Sequence, residues 1–284
     1  MENRTFIPGS EWIYFKIYTG SKTADTILKN EVKNFIVDKD DKGDKWFFIR
    51  YSDPDFHIRL RLHLKDTRDF STIFNRFYEI FLPLVDAGLV WKIQCDTYQR
   101  EIERYGANTI NIVEDFFFID SVFMIELLNR IIDDQHRWKL ALALIDSFLS
   151  VFSFELTQRK ELLNTIAVNF KKEFGFTHHD AKKQLDNKFR TYRKDIETAM
   201  LWENTIDVIK DRKQAIFPVA EKLIAMEKTN ELQVPLNLLL TSMIHMTMNR
   251  LFRTKNRLHE LVIYDFLSRY YTSELAKNNK TKKI

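Results

Sequence analysis

The segment that follows Tyr51 carries basic residues in a pattern that suits anion binding. From residue 57 to residue 64 basic and apolar residues alternate, and a β-strand sends alternate side chains to opposite faces. One face is predicted to be core and consists of Ile58, Leu60, Leu62 and Leu64. The opposite face presents His57, Arg59, Arg61 and His63. It is either a solvated sheet face or a surface that binds carboxylate or phosphate, which the arginine fork matches bidentately.

A second basic segment runs from Tyr98 to Gly106 and is predicted to be extended. In that conformation one face carries Tyr98, Arg100, Ile102 and Arg104, and the other carries Glu101 and Glu103. If the segment joins the same sheet, Arg100 adds a third guanidinium to the row of Arg59 and Arg61. The two glutamates are equally suited to surface ion pairs, which contribute little stability.

The helix predicted after Pro235 carries a polar stripe on an otherwise apolar surface. Thr241, His245 and Asn249 recur at a spacing of four residues, and Arg250 follows near the C-terminal end. A histidine in this setting is either a satisfied core residue or a group that titrates near neutral pH and transfers protons.

Other sequence signals for catalysis are absent. The chain has no phosphate-binding glycine loop, no G-x-S-x-G and no H-E-x-x-H motif. Cys95, the single cysteine, can form neither a disulfide framework nor a thiolate metal cluster, which is typical of a reducing cytosol. Neighbouring His178 and His179 lack carboxylates at helical ligand spacing, so we expect a surface loop there and no metal site.

These candidate residues belong to an α+β chain whose first part is rich in strands. Strands are predicted over residues 12–18, 45–51 and 57–64, helices over 23–37 and 69–86, and a fourth extended segment over 91–105. We expect an antiparallel or mixed sheet with flanking helices in residues 1–106 and a large helical portion in residues 107–284. Since no linker separates them, residues 1–284 are predicted to form one domain. The predicted helices of the second portion span residues 110–132, 137–153, 158–173, 179–200, 203–227, 235–252 and 257–274.

Composition excludes several classes of protein. Only 6 Gly and 5 Pro in 284 residues argue against a many-stranded sandwich or barrel. A hydrophobic content of 45% argues against disorder. The formal net charge of +4 does not favour direct nucleic-acid binding but allows a local anion site. There is no secretory signal and no apolar run of about 18 residues, so a soluble, cytoplasmic protein without a membrane span is expected.

Four ordered motifs resemble the C-terminal glutamate-elimination domain of class I lantibiotic dehydratases, which also occurs as the thiopeptide-type bacteriocin biosynthesis domain. They extend from residue 12 to residue 250 and read Trp12-Ile-Tyr-Phe-Lys-Ile-Tyr-Thr-Gly20, Phe47-Phe-Ile-Arg-Tyr-Ser-Asp-Pro54 continuing into His57-Ile-Arg-Leu-Arg61, Tyr98-Gln-Arg-Glu-Ile-Glu-Arg-Tyr-Gly106, and Ser242-Met-Ile-His-Met-Thr-Met-Asn-Arg250. The resemblance implies a lyase of lanthipeptide biosynthesis. A separate domain of that family esterifies Ser or Thr of a ribosomal precursor peptide with glutamate from glutamyl-tRNA. The elimination domain then releases glutamate and leaves dehydroalanine or dehydrobutyrine.

The resemblance also implies a set of functional residues. Arg61, Arg100 and His245 match the catalytic positions, with Arg100 preferred over Arg104. Residues expected to bind substrate are Arg59, Arg104, Arg250 and His57. Guanidiniums would hold carboxylates and developing negative charge, and His245 would act as acid or base. No metal or redox cofactor is expected.

The chain lacks the large glutamylation part, which leaves three functions open. We favour the elimination half of a split dehydratase, whose partners would be a glutamylated precursor peptide and a separate glutamylation subunit. The alternatives are a pyridine synthase of a thiopeptide pathway, which performs a [4+2] cycloaddition with loss of the leader peptide, and a non-catalytic subunit that binds the leader peptide. A homodimer is compatible with each of the three.

Overall fold

A computed structural model describes residues 3–37, 43–176 and 179–281. The chain divides into two compact units: Met1–Arg130 with Ala225–Thr254, and Ile131–Ile224 with Lys255–Ile284. The strands are β1 (Thr5–Phe6), β2 (Trp12–Thr19), β3 (Gly43–Ser52), β4 (Phe56–Leu64), β5 (Val90–Cys95) and β6 (Tyr98–Gln99). The helices are α1 (Thr23–Ile27), α2 (Lys33–Val37), α3 (Phe70–Asp86), α4 (Ile102–Tyr105), α5 (Ile110–Arg130), α6 (Asp134–Val151), α7 (Leu156–Glu173), α8 (His179–Thr191), α9 (Arg193–Ala199), α10 (Trp202–Thr205), α11 (Asp207–Lys228), α12 (Leu236–Leu251) and α13 (Asn256–Thr281).

The first unit is built on a four-stranded antiparallel sheet in the order β3-β4-β2-β5, and β1 pairs with β6 in a separate two-stranded sheet. Alternation in β2 and β4 sends Ile13, Phe15 and Ile17 to the same face as Leu60 and its apolar neighbours. Phe15 stacks on Phe77 of α3 at 3.7 Å between ring centroids. This face is therefore the apolar core, as the sequence predicts, and the basic residues of β4 lie on the opposite face.

The regular elements of the second unit, among its described residues, are all helices, and carboxylates of low exposure connect them. Asp146 of α6 accepts hydrogen bonds from Arg159 of α7 and from Tyr271 of α13, each at 2.7 Å. Asp265 of α13 pairs with Lys171 of α7 at 2.5 Å. Since a buried charge is tolerated when it is paired, these contacts fix the order in which α6, α7 and α13 pack.

The α+β class, the N-terminal antiparallel sheet and the helical portion after residue 107 agree with the prediction, and one detail differs. The predicted extended segment 91–105 is wrong in its second half, because the chain turns into helix α4 at Ile102. The compact units follow a different division, since α5 and α12 of the helical portion both belong to the first unit. None of the helices in the described ranges combines the length and the apolar composition that a membrane span requires.

The first unit depends on a buried carboxylate that joins two arginines. Asp25 of α1 accepts from Arg50 of β3 at 2.6 Å and from Arg253, just after α12, at 2.7 Å. Arg50 is 2% exposed, and a buried cation that loses its carboxylate is costly. We expect Asp25→Ala to lower the free energy of unfolding by about 3–5 kcal/mol in urea denaturation.

The control for this prediction is an exposed ion pair of the same unit. Glu126 pairs with Arg130 at 3.3 Å with both side chains about half exposed, and Glu126→Ala should cost less than about 1 kcal/mol. Equal losses in the two variants would contradict the role given to Asp25.

Candidate functional site

The basic face of the sheet is organised in rows that cross from strand to strand. Opposite Arg61 of β4 lie Tyr14 of β2 and Phe47 of β3, and opposite Arg59 lie Lys16 and Ile49. Residues that are directly opposite in an antiparallel pair share a face. The sequence alone predicts His57, Arg59 and Arg61 on one face, and the structure brings them together there. We call this face, with Tyr14, Lys16, Tyr18, His57, Arg59, Arg61 and Lys92, the cationic face.

Arg61 is buried among aromatic rings and has no anionic partner among the described residues. Its guanidinium carbon lies 4.5 Å from the ring centroid of Tyr14, 4.7 Å from that of Tyr98 and 5.3 Å from that of Phe47. The residue is 8% exposed, and its buried Nε has no hydrogen-bond partner in the described part of the chain. Since burying an unpaired charge is unfavourable, this arrangement favours binding of an anion at Arg61.

Arg59 is held in place by its neighbours on β4 and β3. Its Nε donates to Nε2 of His57 at 3.1 Å, and its guanidinium lies 3.5 Å from the ring centroid of Tyr51. The other ring nitrogen of His57, Nδ1, lies 2.8 Å from the carbonyl oxygen of Asp55. His57 is therefore a neutral Nδ1–H tautomer that accepts from Arg59 and donates to Asp55. Its role in this geometry is to position Arg59.

Three residues of the cationic face, Tyr14, Lys16 and Tyr18, come from β2 and are additions to the predicted set. Tyr14 is 4% exposed, and burial raises its pKa although Arg61, Arg59 and Lys16 oppose that shift. Lys16 pairs with Asp96, and this hydrogen bond lowers the pKa of Asp96. The sequence contains a signal that could have identified Tyr14 and Lys16, because both alternate with Ile13 and its apolar neighbours along β2.

Arg100 lies next to the cationic face but its donors are already occupied. Its Nε and Nη2 donate to the carboxylate of Glu114 of α5 at 2.7 and 2.5 Å. Further bonds reach the side chain of Asn111 at 2.8 Å and the carbonyl oxygen of Asn3 at 3.1 Å. Glu114 is fully buried and also accepts from the hydroxyl of Tyr98 at 2.7 Å. The rings of Tyr14, Phe47 and Tyr98 around Arg61 are called the Arg61 cage. Arg100 therefore holds Tyr98, one ring of this cage, in place through Glu114.

Arg104 occupies a different position because the chain is helical there. Helix α4 ends at Gly106, whose N–H donates to the carbonyl oxygen of Ile102 at 2.7 Å and whose φ is +77°. A Cβ at this glycine would lie 2.7 Å from Oγ1 of Thr109, so the turn requires glycine. The helical turn directs Nε of Arg104 to Oγ of Ser242 on α12, 3.2 Å away. The side chain of Arg104 is 37% exposed, whereas Arg100 is buried. The preference for Arg100 over Arg104 stays a prediction.

His245 lies on the half-buried stripe of α12, between two anchored positions. Ser242, one turn before it, accepts a hydrogen bond from Arg104. Asn249, one turn after it, donates to the carbonyl oxygen of Arg50 and accepts from its N–H, both at 2.8 Å. These bonds tie α12 to α4 and to the outer edge of β3. His245 is therefore held on a fixed helix face and keeps part of its surface in solvent.

Arg250 forms a buried ion pair with Asp120, which gives it a structural role in this geometry. It is fully buried and donates to Asp120 at 2.9 Å and to Ser121 at 3.1 Å, both on α5. Arg61, Arg104 and Arg250 all act electrostatically on the phenol of Tyr105, whose pKa burial raises to about 12. Tyr105 therefore lies near residues of β4, α4 and α12.

The described residues contain no cluster of three or more His, Cys, Asp or Glu side chains that could hold a metal ion. His178 lies outside the described residues, and His179 begins helix α8.

Comparison with known proteins gives a family for almost the whole chain. A family model described as the C-terminal part of lantibiotic biosynthesis dehydratases matches residues 12–271. The nisin biosynthesis protein NisB of Lactococcus lactis subsp. lactis is 27% identical over 278 residues, which cover 96% of this chain and 27% of NisB. The chain therefore spans about a quarter of the length of that relative.

Solved structures share the fold. The tRNA-dependent lantibiotic dehydratase MibB from Microbispora sp. 107891 superposes with a TM-score of 0.64 at 20% identity, covering 95% of this chain and 29% of MibB. The pyridine synthase TbtD from thiomuracin biosynthesis gives a TM-score of 0.69 at 12% identity, covering 93% of this chain and 98% of TbtD. At these identities the likeness concerns the fold alone.

The contacts of Arg100 and Arg104 predict losses of stability of very different size. Arg100→Ala leaves Glu114 buried without its cation and should lower the free energy of unfolding by about 3–5 kcal/mol. Arg104→Ala removes an exposed pair at 3.4 Å and should cost less than about 1 kcal/mol. Chemical denaturation of both variants measures the difference, and similar losses would contradict the structural role of Arg100.

His57 predicts a pH dependence of stability. Burial lowers its pKa below the usual 6.5, and the Arg59 and Lys16 cations lower it further. Because the folded state favours neutral His57, its contribution is complete above pH 6.5 and declines as the pH falls from 6.5 through the folded pKa. In His57→Gln the amide can keep both hydrogen bonds without titrating. The wild type should therefore lose stability relative to His57→Gln on acidification, and parallel pH profiles in urea denaturation would refute the assignment.

Proposed function

This chain belongs to the family of lantibiotic biosynthesis dehydratase C-terminal domains, and we propose that it removes glutamate from glutamylated Ser or Thr residues of a ribosomal precursor peptide. The products are dehydroalanine or dehydrobutyrine and free glutamate. In this reaction a base takes the Cα proton, and the electron pair of the broken Cα–H bond forms the Cα–Cβ double bond. The Cβ–O bond breaks, and the carboxylate leaves with the electrons of that bond.

The observation that supports this proposal most is the buried Arg61 guanidinium that lacks a carboxylate in the described residues. A glutamyl ester carries one carboxylate and releases another, so the substrate supplies the anion that the site lacks. Aromatic walls keep the local dielectric low, which strengthens the interaction of Arg61 with a carboxylate. Arg59, fixed by His57, provides a second guanidinium on the same face.

Proton transfer falls to His245 in this proposal. It is a half-buried imidazole on a helix that is anchored one turn before and one turn after it. The loss of the Cα proton places negative charge on the adjacent peptide carbonyl, which a guanidinium can stabilise. Arg104 reaches the same stripe of α12 and is the cation for that charge, while Arg100 and Arg250 position the site from within the core.

A pyridine synthase is the second candidate, and one observation favours it: the fold likeness to TbtD covers 93% of this chain and 98% of TbtD. Against it stands the 27% identity to NisB over nearly the whole chain. The two are separated by their substrates. A peptide that carries two dehydroalanines would be cyclised with loss of its leader by a pyridine synthase and left unchanged by the proposed lyase. Leader binding without either reaction would indicate the non-catalytic subunit.

The elimination reaction gives a direct test of the site. A pre-glutamylated precursor peptide is incubated with each variant, and the mass loss of the peptide is followed by mass spectrometry. We expect Arg61→Ala to slow elimination at least about 100-fold, as for loss of one donor to a developing anion. His245→Ala should slow it about 100-fold or more, as for loss of a general acid or base. Arg61→Lys should lie between Arg61→Ala and wild type, because it keeps the charge and loses the planar fork.

The control is Arg68→Ala, since Arg68 lies in the same unit with a side chain 89% exposed. Its elimination rate should equal that of the wild type. Intact glutamyl esters after long incubation with wild-type protein would refute the reaction. Wild-type rates in folded Arg61→Ala and His245→Ala would refute the site.

A further inference from the structure

One edge of the sheet in the first unit has an apolar groove beside it. Helix α3 and strand β5 enclose a groove of about 580 Å³, which we call the edge groove. It is lined by side chains that include Phe74, Tyr78, Leu82, Trp91, Ile93 and Cys95. Tyr78 is 60% and Trp91 55% exposed. Large apolar side chains that are exposed together mark interaction surfaces more often than scattered ones do.

The edge groove runs along an open sheet edge, because β5 pairs with β2 and with no other described strand. Asp96 N–H donates to the carbonyl oxygen of Tyr14 at 2.9 Å. Hydrogen-bonded pairs alternate along an antiparallel ladder, so the peptide groups of Lys92 and Gln94 face β2. Those of Ile93 and Cys95 then face outward. An edge strand with outward N–H and C=O groups is a template for another strand.

The opposite edge of the same sheet is closed by side chains. On β3 the N–H of Phe48 donates to Oγ of Ser121 at 3.2 Å. The side-chain amide of Asn249 accepts a hydrogen bond from the N–H of Arg50 and donates one to its carbonyl oxygen, both at 2.8 Å. The described residues show no such side-chain bonds to the outward groups of β5. The sheet is thus closed at β3 and open at β5.

The two faces of the open edge differ in chemistry. Side chains of Ile93 and Cys95 lie on the edge-groove side, opposite Ile17 and Phe15 of β2. Lys92 and Gln94 lie on the other side, opposite Tyr18 and Lys16, and therefore belong to the cationic face. A strand added to β5 would send alternate side chains into an apolar groove and toward cations. It would lie about 14 Å from β4, three strand spacings away, on the sheet that carries Arg59 and Arg61.

We propose that β5 and the edge groove bind an extended peptide segment in which large apolar residues alternate with acidic ones. The segment adds a fifth strand to the sheet, places its apolar side chains between Tyr78 and Trp91, and sets its acidic side chains beside Lys92. This inference rests on the proposed function in one respect: the segment belongs to the peptide that the cationic face acts on. Strand addition holds that peptide on the sheet whose next strands carry the candidate site.

Binding of a designed peptide tests this proposal without any elimination reaction. The probe is a fluorescein-labelled peptide of about nine residues in which Leu, Phe and Ile alternate with Glu and Asp, matched to the usual length of a strand. Its binding to the full chain is measured by fluorescence anisotropy. We expect saturable binding that a peptide of the same composition in scrambled order lacks.

Paired variants separate the backbone contact from the side-chain contact. Ile93→Pro removes an outward N–H and spares the ladder with β2, since proline is tolerated where the N–H of an edge strand faces solvent. Ile93→Pro should weaken binding about tenfold more than Ile93→Ala does. Both substitutions remove the isoleucine side chain, but only Ile93→Ala keeps the backbone N–H. Tyr78→Glu should weaken binding at least tenfold. Phe217→Glu, at a residue 51% exposed on α11, should leave binding unchanged.

Several outcomes would overturn the proposal. They are absence of saturable binding, equal binding by Ile93→Pro and Ile93→Ala, and conversion of a dimer to a monomer by Tyr78→Glu in size-exclusion chromatography. Displacement of the probe by a separate protein subunit, with no effect of the precursor peptide, would also overturn it. His245→Ala keeps the edge groove, so it should bind the probe normally. Probe binding by a chain that never eliminates glutamate would therefore contradict the proposed function and leave the docking site standing.

Discussion

The candidate site depends on one electrostatic constraint: the guanidinium of Arg61 is buried without a carboxylate in the described residues. Arg61 lies on β4, an inner strand between β2 and β3, and is 8% exposed. Tyr14, Phe47 and Tyr98 supply π-faces, which attract the cation. These contacts offset part of the desolvation cost and leave the hydrogen-bonding capacity of Nε unused. A carboxylate that enters this cage therefore gains more than it would at an exposed arginine.

The other buried arginines of the first unit show what this constraint means. Arg50, Arg100 and Arg250 each have a carboxylate at 2.5 to 2.9 Å, supplied by Asp25, Glu114 and Asp120. The fold thus satisfies its structural guanidiniums with its own acids. Arg61 and Arg59 lie outside that pattern among the described residues. Arg61 and Arg100 are buried to a similar degree, so the presence or absence of a carboxylate partner is what distinguishes them.

Alternation along the chain predicts the sheet and the sidedness of β4, because one strand is enough to define two faces. It does not predict the cage, whose walls come from three strands that are distant in sequence. The helical turn at Arg104 also escapes a pattern of alternating charges. It depends on the positive φ of Gly106 and on the crowding by Thr109, which only the folded chain shows. For the same reason the sequence prefers Arg100, whose partner Glu114 lies on α5 and reads as an ordinary helical residue.

The hydrogen bonds of Asn249 connect the two ends of this arrangement. By closing the β3 edge they hold α12 against the sheet, and the helix period then places His245 one turn away, toward Arg104. The same closure leaves β5 as the open edge, on the side of the sheet away from α12. A peptide added there would approach the cationic face across β2, with Lys16 and Arg59 in its path. The residue that positions the candidate proton-transfer group therefore also determines from which edge an extended substrate can join the sheet.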